Sequence, residues 1–131
     1  MKKKNLRPAG IAAAAVFRTD PVSGYPPGTP DTPSERSTAG TLHDLVSIPT
    51  FLGLPMAATA YSWRFARTGQ RGWAAYSAST GIGMLAAFAR SAAGFNQSRR
   101  LVETAGLWQR VCIATGFAWL TALSGRALRE R

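Results

Sequence analysis

Three long apolar runs follow one another along the last two thirds of the chain. They cover residues 39–63, 72–95 and 105–124, and each contains a single Asp, Glu, Lys or Arg residue. Each is close to the ~20 residues that a helix needs to cross a hydrocarbon layer ~30 Å thick. None has the polar face of a soluble amphipathic helix. The pattern predicts an all-α membrane helical bundle with three full transmembrane helices, and a soluble basic bundle is the alternative.

The chain before the first run has two parts. Residues 1–17 form a basic tail and a short apolar segment that is too short to span a bilayer. We favour a helix remnant whose beginning is missing. The alternative is a signal peptide, with a Lys-rich start and small residues at Ala13 and Ala15. Residues 18–38 form a Pro/Gly-rich loop.

The distribution of charge decides between partners. A net charge of +10 would suit a nucleic-acid binder, but the charges lie in the gaps between apolar runs, so no nucleic-acid partner is predicted. Basic loops of membrane proteins stay in the cytoplasm. Residues 64–72 contain three arginines and no acid, so this loop and the basic tail at 126–131 are predicted to be cytoplasmic. The loop 18–38 is then extracytoplasmic, and the protein is a multi-pass protein of the cell membrane.

Small residues recur at every fourth position in two of the runs. Such stripes let helices approach closely in lipid, so we expect these positions to form the faces where helices meet. The expected partners are the lipid bilayer, a second copy of the chain, or missing N-terminal helices. The positions are Ala75, Ser79, Gly83, Ala87 and Ser91 in the second run, and Ala114, Ala118 and Ala122 in the third.

Four polar side chains are expected at one depth near the outer ends of the runs. They are His43, Asp44, Arg90 and Arg110. Ionisable groups at membrane depth are usually paired or functional. Asp44 is the natural partner for Arg90 or Arg110 beneath the Pro-rich loop, which would act as a lid. The interpretation that we favour over this pocket is a capping box from Thr41 to Asp44, arginines that snorkel, and a loop that only connects.

Other chemistry is sparse. The single histidine excludes a His-rich metal site, and the single cysteine, Cys112, excludes an intrachain disulfide. No Gly-rich phosphate loop, nucleophile elbow or paired-carboxylate spacing is present. No catalytic residue, metal or cofactor is predicted. Pro49 and Pro55 are expected to bend the first helix.

Four segments of the chain resemble the DUF998 family. They are VFRTDP at 16–21, PPG at 26–28, GTLHDL at 40–45 and GLWQR at 106–110. The family comprises multi-pass bacterial membrane proteins of unknown function, in which the Thr-Asp-Pro loop follows the second span. The resemblance implies that this chain begins inside that second span. It implies an architecture and a membrane location, and it supplies no reaction.

Together these features predict an integral membrane protein of uncharacterised molecular function. The polar layer near the outer surface would bind a lipid headgroup or a small anion. The alternatives are a membrane-embedded hydrolase that uses His43 and Asp44, or a subunit of a transporter.

Overall fold

The computed structural model describes residues 15–32 and 35–130. The choice between a helix remnant and a signal peptide concerns residues 1–14, which lie outside the described residues. Within the described ranges the chain is all-α, as predicted. Its helices are α1 (Thr38–Phe51), α2 (Gly53–Arg67), α3 (Arg71–Phe95) and α4 (Ala105–Arg129), with a 3-10 turn (Val102–Thr104) before α4.

Helices α1 and α2 form one helical stretch that is interrupted at Leu52. The interruption lies between Pro49 and Pro55. Proline has no N–H group, so Pro55 leaves a carbonyl one turn earlier without its helical donor. Hydrogen bonding continues on both sides, since the Leu52 N–H bonds to the Ile48 carbonyl at 2.9 Å and the Met56 N–H bonds to the Leu52 carbonyl at 3.1 Å. The two prolines flank this interruption, and the bend that they are expected to cause in the first helix stays a prediction.

Helix α3 lies between the α1–α2 stretch and α4, antiparallel to both. Near one end of the bundle Phe51 stacks on Phe88, with ring centroids 5.3 Å apart. Towards the other end the Ser62 hydroxyl donates to the Ala74 carbonyl at 2.8 Å. Between α3 and α4, the buried Trp119 indole donates to the Ser77 hydroxyl at 3.0 Å.

The face that α3 buries shares only Ala87 and Ser91 with the predicted stripe of small residues. Ala75, Ser79 and Gly83 are exposed, and so are Ala114 and Ala118 of α4. Four residues advance about 40° beyond one full turn, so an every-fourth stripe winds around the helix. Spacings that alternate between three and four keep one face towards a neighbour. The buried residues of α3 follow that pattern: Ala74, Ser77, Thr80, Gly81, Met84, Ala87, Ser91 and Gly94.

Small residues do bring the helices together, at other positions. A Cβ atom on Gly116 of α4 would lie 2.9 Å from the Met84 sulfur of α3. A Cβ atom on Gly94, at the end of α3, would lie 2.5 Å from the Leu101 carbonyl oxygen and 2.6 Å from the Ala105 Cβ. At Gly94 the close atoms are backbone and a Cβ atom that cannot turn aside, so glycine is required there for the close approach of α3 and α4. At Gly116 the close atoms are the ends of the Met84 and Leu54 side chains, which would have to shift.

Two helical stretches are long and apolar enough to cross a membrane, judged by length and composition. They are Thr38–Arg67 and Val102–Arg129. Helix α3 is not one of them, because its glycine and hydroxyl residues lower its hydropathy. The predicted count of three full transmembrane helices and an N-terminal helix is therefore not confirmed.

One arginine joins the three helices at the end of the bundle that contains the α2–α3 turn. The Arg126 guanidinium lies over the rings of Phe65 and Trp73, at 5.1 and 5.0 Å from their centroids. Two of its nitrogens donate to Oε1 of Glu130, at 2.7 and 2.8 Å. Because α4 continues to Arg129, two basic residues of the predicted tail, Arg126 and Arg129, occupy its last turn. We call this the basic end.

Candidate functional site

The opposite end of the bundle is covered by the loop before α1, and we call it the capped end. Helix α1 begins at Thr38, with Ser37 as its N-cap. The Ser37 hydroxyl accepts from the Gly40 N–H at 2.9 Å, as N-cap side chains do. Thr41 was predicted as the N-cap, and that prediction was wrong. The Thr41 hydroxyl instead donates to the Ser37 carbonyl at 3.0 Å.

Asp20 fixes this helix start to the loop. One of its carboxylate oxygens accepts from the Ser37 N–H at 3.0 Å, and the other accepts from the Ser37 hydroxyl at 2.5 Å. A Cβ atom on Gly40 would collide with the same carboxylate. A negative charge at a helix N-terminus also interacts favourably with the helix dipole. The Thr-Asp-Pro segment therefore positions the start of α1.

His43 is occupied by a second contact to the same segment. Its Nδ1 lies 2.9 Å from the Phe17 carbonyl oxygen. A carbonyl only accepts, so Nδ1 carries the proton, and in the neutral ring Nε2 is left as an acceptor. His43 thus holds the segment that leads into the loop.

The loop also contacts the connection between α3 and α4. Within the loop, the Ser23 N–H donates to the Asp31 carbonyl at 2.8 Å. The Gln97 side-chain amide donates to the Ser23 hydroxyl and to the same Asp31 carbonyl, both at 3.2 Å. The loop is therefore fixed to the bundle at Ser23 and Asp31, and its action as a lid stays a prediction.

Asp44 does not pair with either arginine proposed for it. Its carboxylate lies 3.6 Å from a guanidinium nitrogen of Arg36, and both side chains are more than half exposed. The expectation of an ion pair with Arg90 or Arg110 was wrong. The reason is chain geometry, since Arg36 immediately precedes the N-cap and reaches the first turns of α1.

Arg90 reaches across from α3 to α4. Its guanidinium lies 4.8 Å from the ring centroid of Trp108, a distance at which a cation is attracted by the face of an indole. Arg110 lies on α4 two residues further on and is exposed. In the part of the chain that the structure describes, neither arginine has a carboxylate within ion-pair distance.

The four predicted site residues thus share one end of the bundle without forming one cluster. His43 and Asp44 lie on α1 and contact the segment before it, at Phe17 and Arg36. Arg90 and Trp108 instead bridge α3 and α4. Residues 15–32 and 35–130 contain no group of three or more His, Cys, Asp or Glu side chains that could hold a metal ion.

Sequence reasoning missed Asp20 and Gln97, the two residues that fasten the loop. Asp20 stands in the Thr-Asp-Pro step, but it lies 17 residues before the N-cap that it contacts, so spacing along the chain does not reveal the contact. The sequence signal at Gln97 is weaker. Its backbone is left-handed, with a φ of 62°, at a turn where glycine would be expected, and the sequence has glutamine there.

The fold and this end define an all-α protein with two helices apolar enough to cross a membrane and a loop fastened over one end. The chain belongs to the family described as Protein of unknown function (DUF998), whose match covers residues 8–126. No curated protein and no solved structure matches the chain. Two segments that carry the resemblance, 16–21 and 40–45, contact each other through Asp20 and Gly40 and through Phe17 and His43.

Proposed function

We propose that the protein is a multi-pass integral membrane protein in which all three helical stretches cross the bilayer. Three hydroxyl side chains of α3, Ser77, Thr80 and Ser91, are buried. Their polarity lowers the hydropathy of α3 without reaching its surroundings. Its outer surface includes Ile82 and Leu85, which are 69% and 46% exposed. Side chains of this kind suit contact with lipid.

In this arrangement the basic end faces the cytoplasm and the capped end faces outward. The support is the excess of arginine in residues 64–72 and in the last turn of α4, because basic segments are retained inside. At the capped end, Asp20 and Asp44 offset part of the positive charge.

The function that we propose is binding of an anionic group at the capped end, either the phosphate of a lipid headgroup or a small anion. The observation that carries this is the placement of Arg90 on the Trp108 ring. Stacking holds the guanidinium in one plane and leaves its N–H donors available for a phosphate oxygen. Arg110 lies two residues beyond Trp108, about 200° around α4, so it adds positive charge to this end of the bundle without sharing the face that Arg90 contacts.

Topology is tested by labelling from outside the cell with a membrane-impermeant maleimide. Cys112 is first replaced by alanine, and a single cysteine is then placed at Gly28 or at Gln70. We expect labelling at Gly28 and protection at Gln70. The reverse pattern would refute the orientation, and labelling of both positions in sealed cells would refute the membrane location.

Binding is tested with the double variant Arg90→Gln, Arg110→Gln. The control is Arg99→Gln, Arg100→Gln, which removes the same charge from exposed positions of the adjacent connection. Stabilisation of the purified protein by phosphatidylglycerol and by inorganic phosphate is measured as a shift in Tm. We expect the first double variant to lose the shift and the control to keep it. Equal loss in both would reduce the site to general charge attraction.

A further inference from the structure

A second site lies at the basic end. A groove of about 870 Å³ runs between the start of α3 and the last three turns of α4. Gly72 and Gly125 line it, and a Cβ atom on either would meet nothing within 4 Å. The groove is therefore open where the start of α3 lies beside the end of α4, whereas the capped end is covered by a loop. We call it the basic groove.

The charged residues of the basic groove differ in whether they have partners within the protein. Arg71, Arg126, Arg129 and Glu130 line it. Glu130 accepts from two nitrogens of Arg126, and Arg126 also lies over Phe65 and Trp73. This pair is therefore occupied by contacts within the protein. Arg71 and Arg129 remain, both exposed and without an acidic partner in the described part of the chain.

The start of α3 adds to the positive potential. No side chain caps it, and its first turn contains no acidic residue. The N–H groups of an uncapped helix start carry partial positive charge and can bind phosphate oxygens. Two arginines and a helix start thus converge on one groove.

The surroundings of the basic groove select the kind of anion. Trp73 forms part of the wall, and indole rings favour the membrane–water interface. On the same helix as Arg126 and Arg129, Phe117 and Leu128 are 44% and 69% exposed. An anion with acyl chains could place its phosphate in the groove and its chains along this apolar surface, which a free anion could not use.

We propose that the basic groove binds the phosphate of an anionic phospholipid, with Arg71 and Arg129 as its ligands. The ion pair and ring contacts of Arg126 form the rigid wall behind the phosphate. This inference rests on the membrane location proposed above and is independent of the site at the capped end.

The test uses the full chain purified in a neutral detergent. Native mass spectrometry measures the retention of phosphatidylglycerol relative to phosphatidylcholine after both lipids are added in equal amounts. Arg71→Gln with Arg129→Gln is compared with Arg64→Gln with Arg67→Gln, which removes the same charge from the basic end but outside the groove. Both are made in a chain that also carries Arg90→Gln and Arg110→Gln, so that the site proposed at the capped end does not contribute to the measurement. We expect the groove variant to lower the preference for the anionic lipid about tenfold and the control to leave it nearly unchanged.

Other outcomes would overturn the proposal. Equal losses in the two double variants would mean that only general charge attraction acts at this end. A preference that survives in the groove variant would place the lipid elsewhere. Protection by inorganic phosphate equal to that by phosphatidylglycerol, measured as a Tm shift, would overturn the choice of a lipid. Arg71→Lys with Arg129→Lys tests whether the glutamine variant has merely lost its fold. It keeps the charge of the groove and should retain most of the preference for the anionic lipid.

The test also separates this inference from the proposed function. Failure of the membrane location would appear in the maleimide experiment. Failure of the outer site would appear in the Arg90→Gln, Arg110→Gln variant, which we expect to leave lipid retention at the basic groove unchanged.

Discussion

The two ends of the bundle are built by different means. At the capped end, hydrogen bonds from Asp20, His43 and Gln97 hold a loop over the helix ends. At the basic end, α2 and α3 are joined by a turn of three residues, and one guanidinium lies over two aromatic rings. The first arrangement fills the space above the helices, and the second leaves a groove open.

Two turns make the difference specific. Helix α2 is followed by Gly69 and helix α3 by Gln97, and both residues are left-handed, with φ values of 73° and 62°. Glycine takes this conformation without strain, whereas a residue with a Cβ atom is disfavoured there. The strained turn is the one whose side chain holds the loop. A strained backbone at one of two equivalent turns therefore indicates that the Gln97 side chain has a role that glycine could not fill.

The largest contrast is expected from adding one methyl group at each end. Gly94→Ala should lower the free energy of unfolding by about 1–3 kcal/mol, because the new Cβ atom overlaps with Leu101 and Ala105. Gly125→Ala should raise it by about 0.5–1 kcal/mol, since the space is open and alanine favours a helix. Thermal unfolding in detergent measures both. Similar effects of the two variants would contradict the difference in packing.

Removal of Asp20 should have the next largest effect. Asp20→Ala takes away the acceptor for the Ser37 N–H and hydroxyl, and loss of such a cap costs about 1–2 kcal/mol. Asp31→Ala is the control, because it removes the same charge from the same loop, and in the described residues the Asp31 contacts to Ser23 and Gln97 use its backbone carbonyl. Faster proteolysis of the loop should accompany the Asp20 variant alone. If both variants behave alike, the loop is not fastened by Asp20.

Exchange of the residues at the two turns is a reciprocal test. Gly69→Gln should cost about 1–2 kcal/mol, because glutamine there takes a left-handed backbone with no compensating contact. Gln97→Gly relieves strain and loses two hydrogen bonds, so its net effect should stay within about 0.5 kcal/mol. It should nevertheless expose the loop to protease. A loop that stays protected in Gln97→Gly would show that the side chain is dispensable.

The smallest effect is expected at Asp44. Its ion pair with Arg36 is exposed on both sides, and such pairs contribute about 0–1 kcal/mol. Asp44→Asn, Arg36→Gln and the double variant should show a coupling below about 0.5 kcal/mol in thermal unfolding. A large coupling of Asp44 to Arg90 instead would restore the ion pair expected from the sequence.

The sequence predicted which helices exist, and it predicted the contacts between them less well. The apolar runs predicted the helices within a few residues, and the two prolines flank the interruption at Leu52. The interhelical face was predicted only at Ala87 and Ser91, because an every-fourth pattern looks regular in sequence and yet rotates around a helix. The burial of individual residues shows which face of α3 meets its neighbours, and hydropathy alone does not show this.

At the candidate site, the end of the bundle at which the residues lie was predictable and their pairing was not. His43, Asp44, Arg90 and Arg110 do lie near one end, since antiparallel helices place them there. Their partners depend on the path of the loop, which brings Arg36 to Asp44 and Phe17 to His43. No periodicity encodes that path. The side chains of the Thr-Asp-Pro segment and of Gln97 determine it.

The fastening of the loop also implies an order of assembly. Asp20 and Ser37 are 17 residues apart in the chain, whereas Gln97 and Ser23 are 74 apart. Chains are synthesised from the N-terminus, and distant contacts form only when both segments are present. The loop can thus dock on α1 early in translation, but its second attachment must wait until α3 has been completed. Closure of the loop consequently reports that the helical hairpin behind it has been assembled, and an incomplete chain would present an unfastened loop to quality-control proteases.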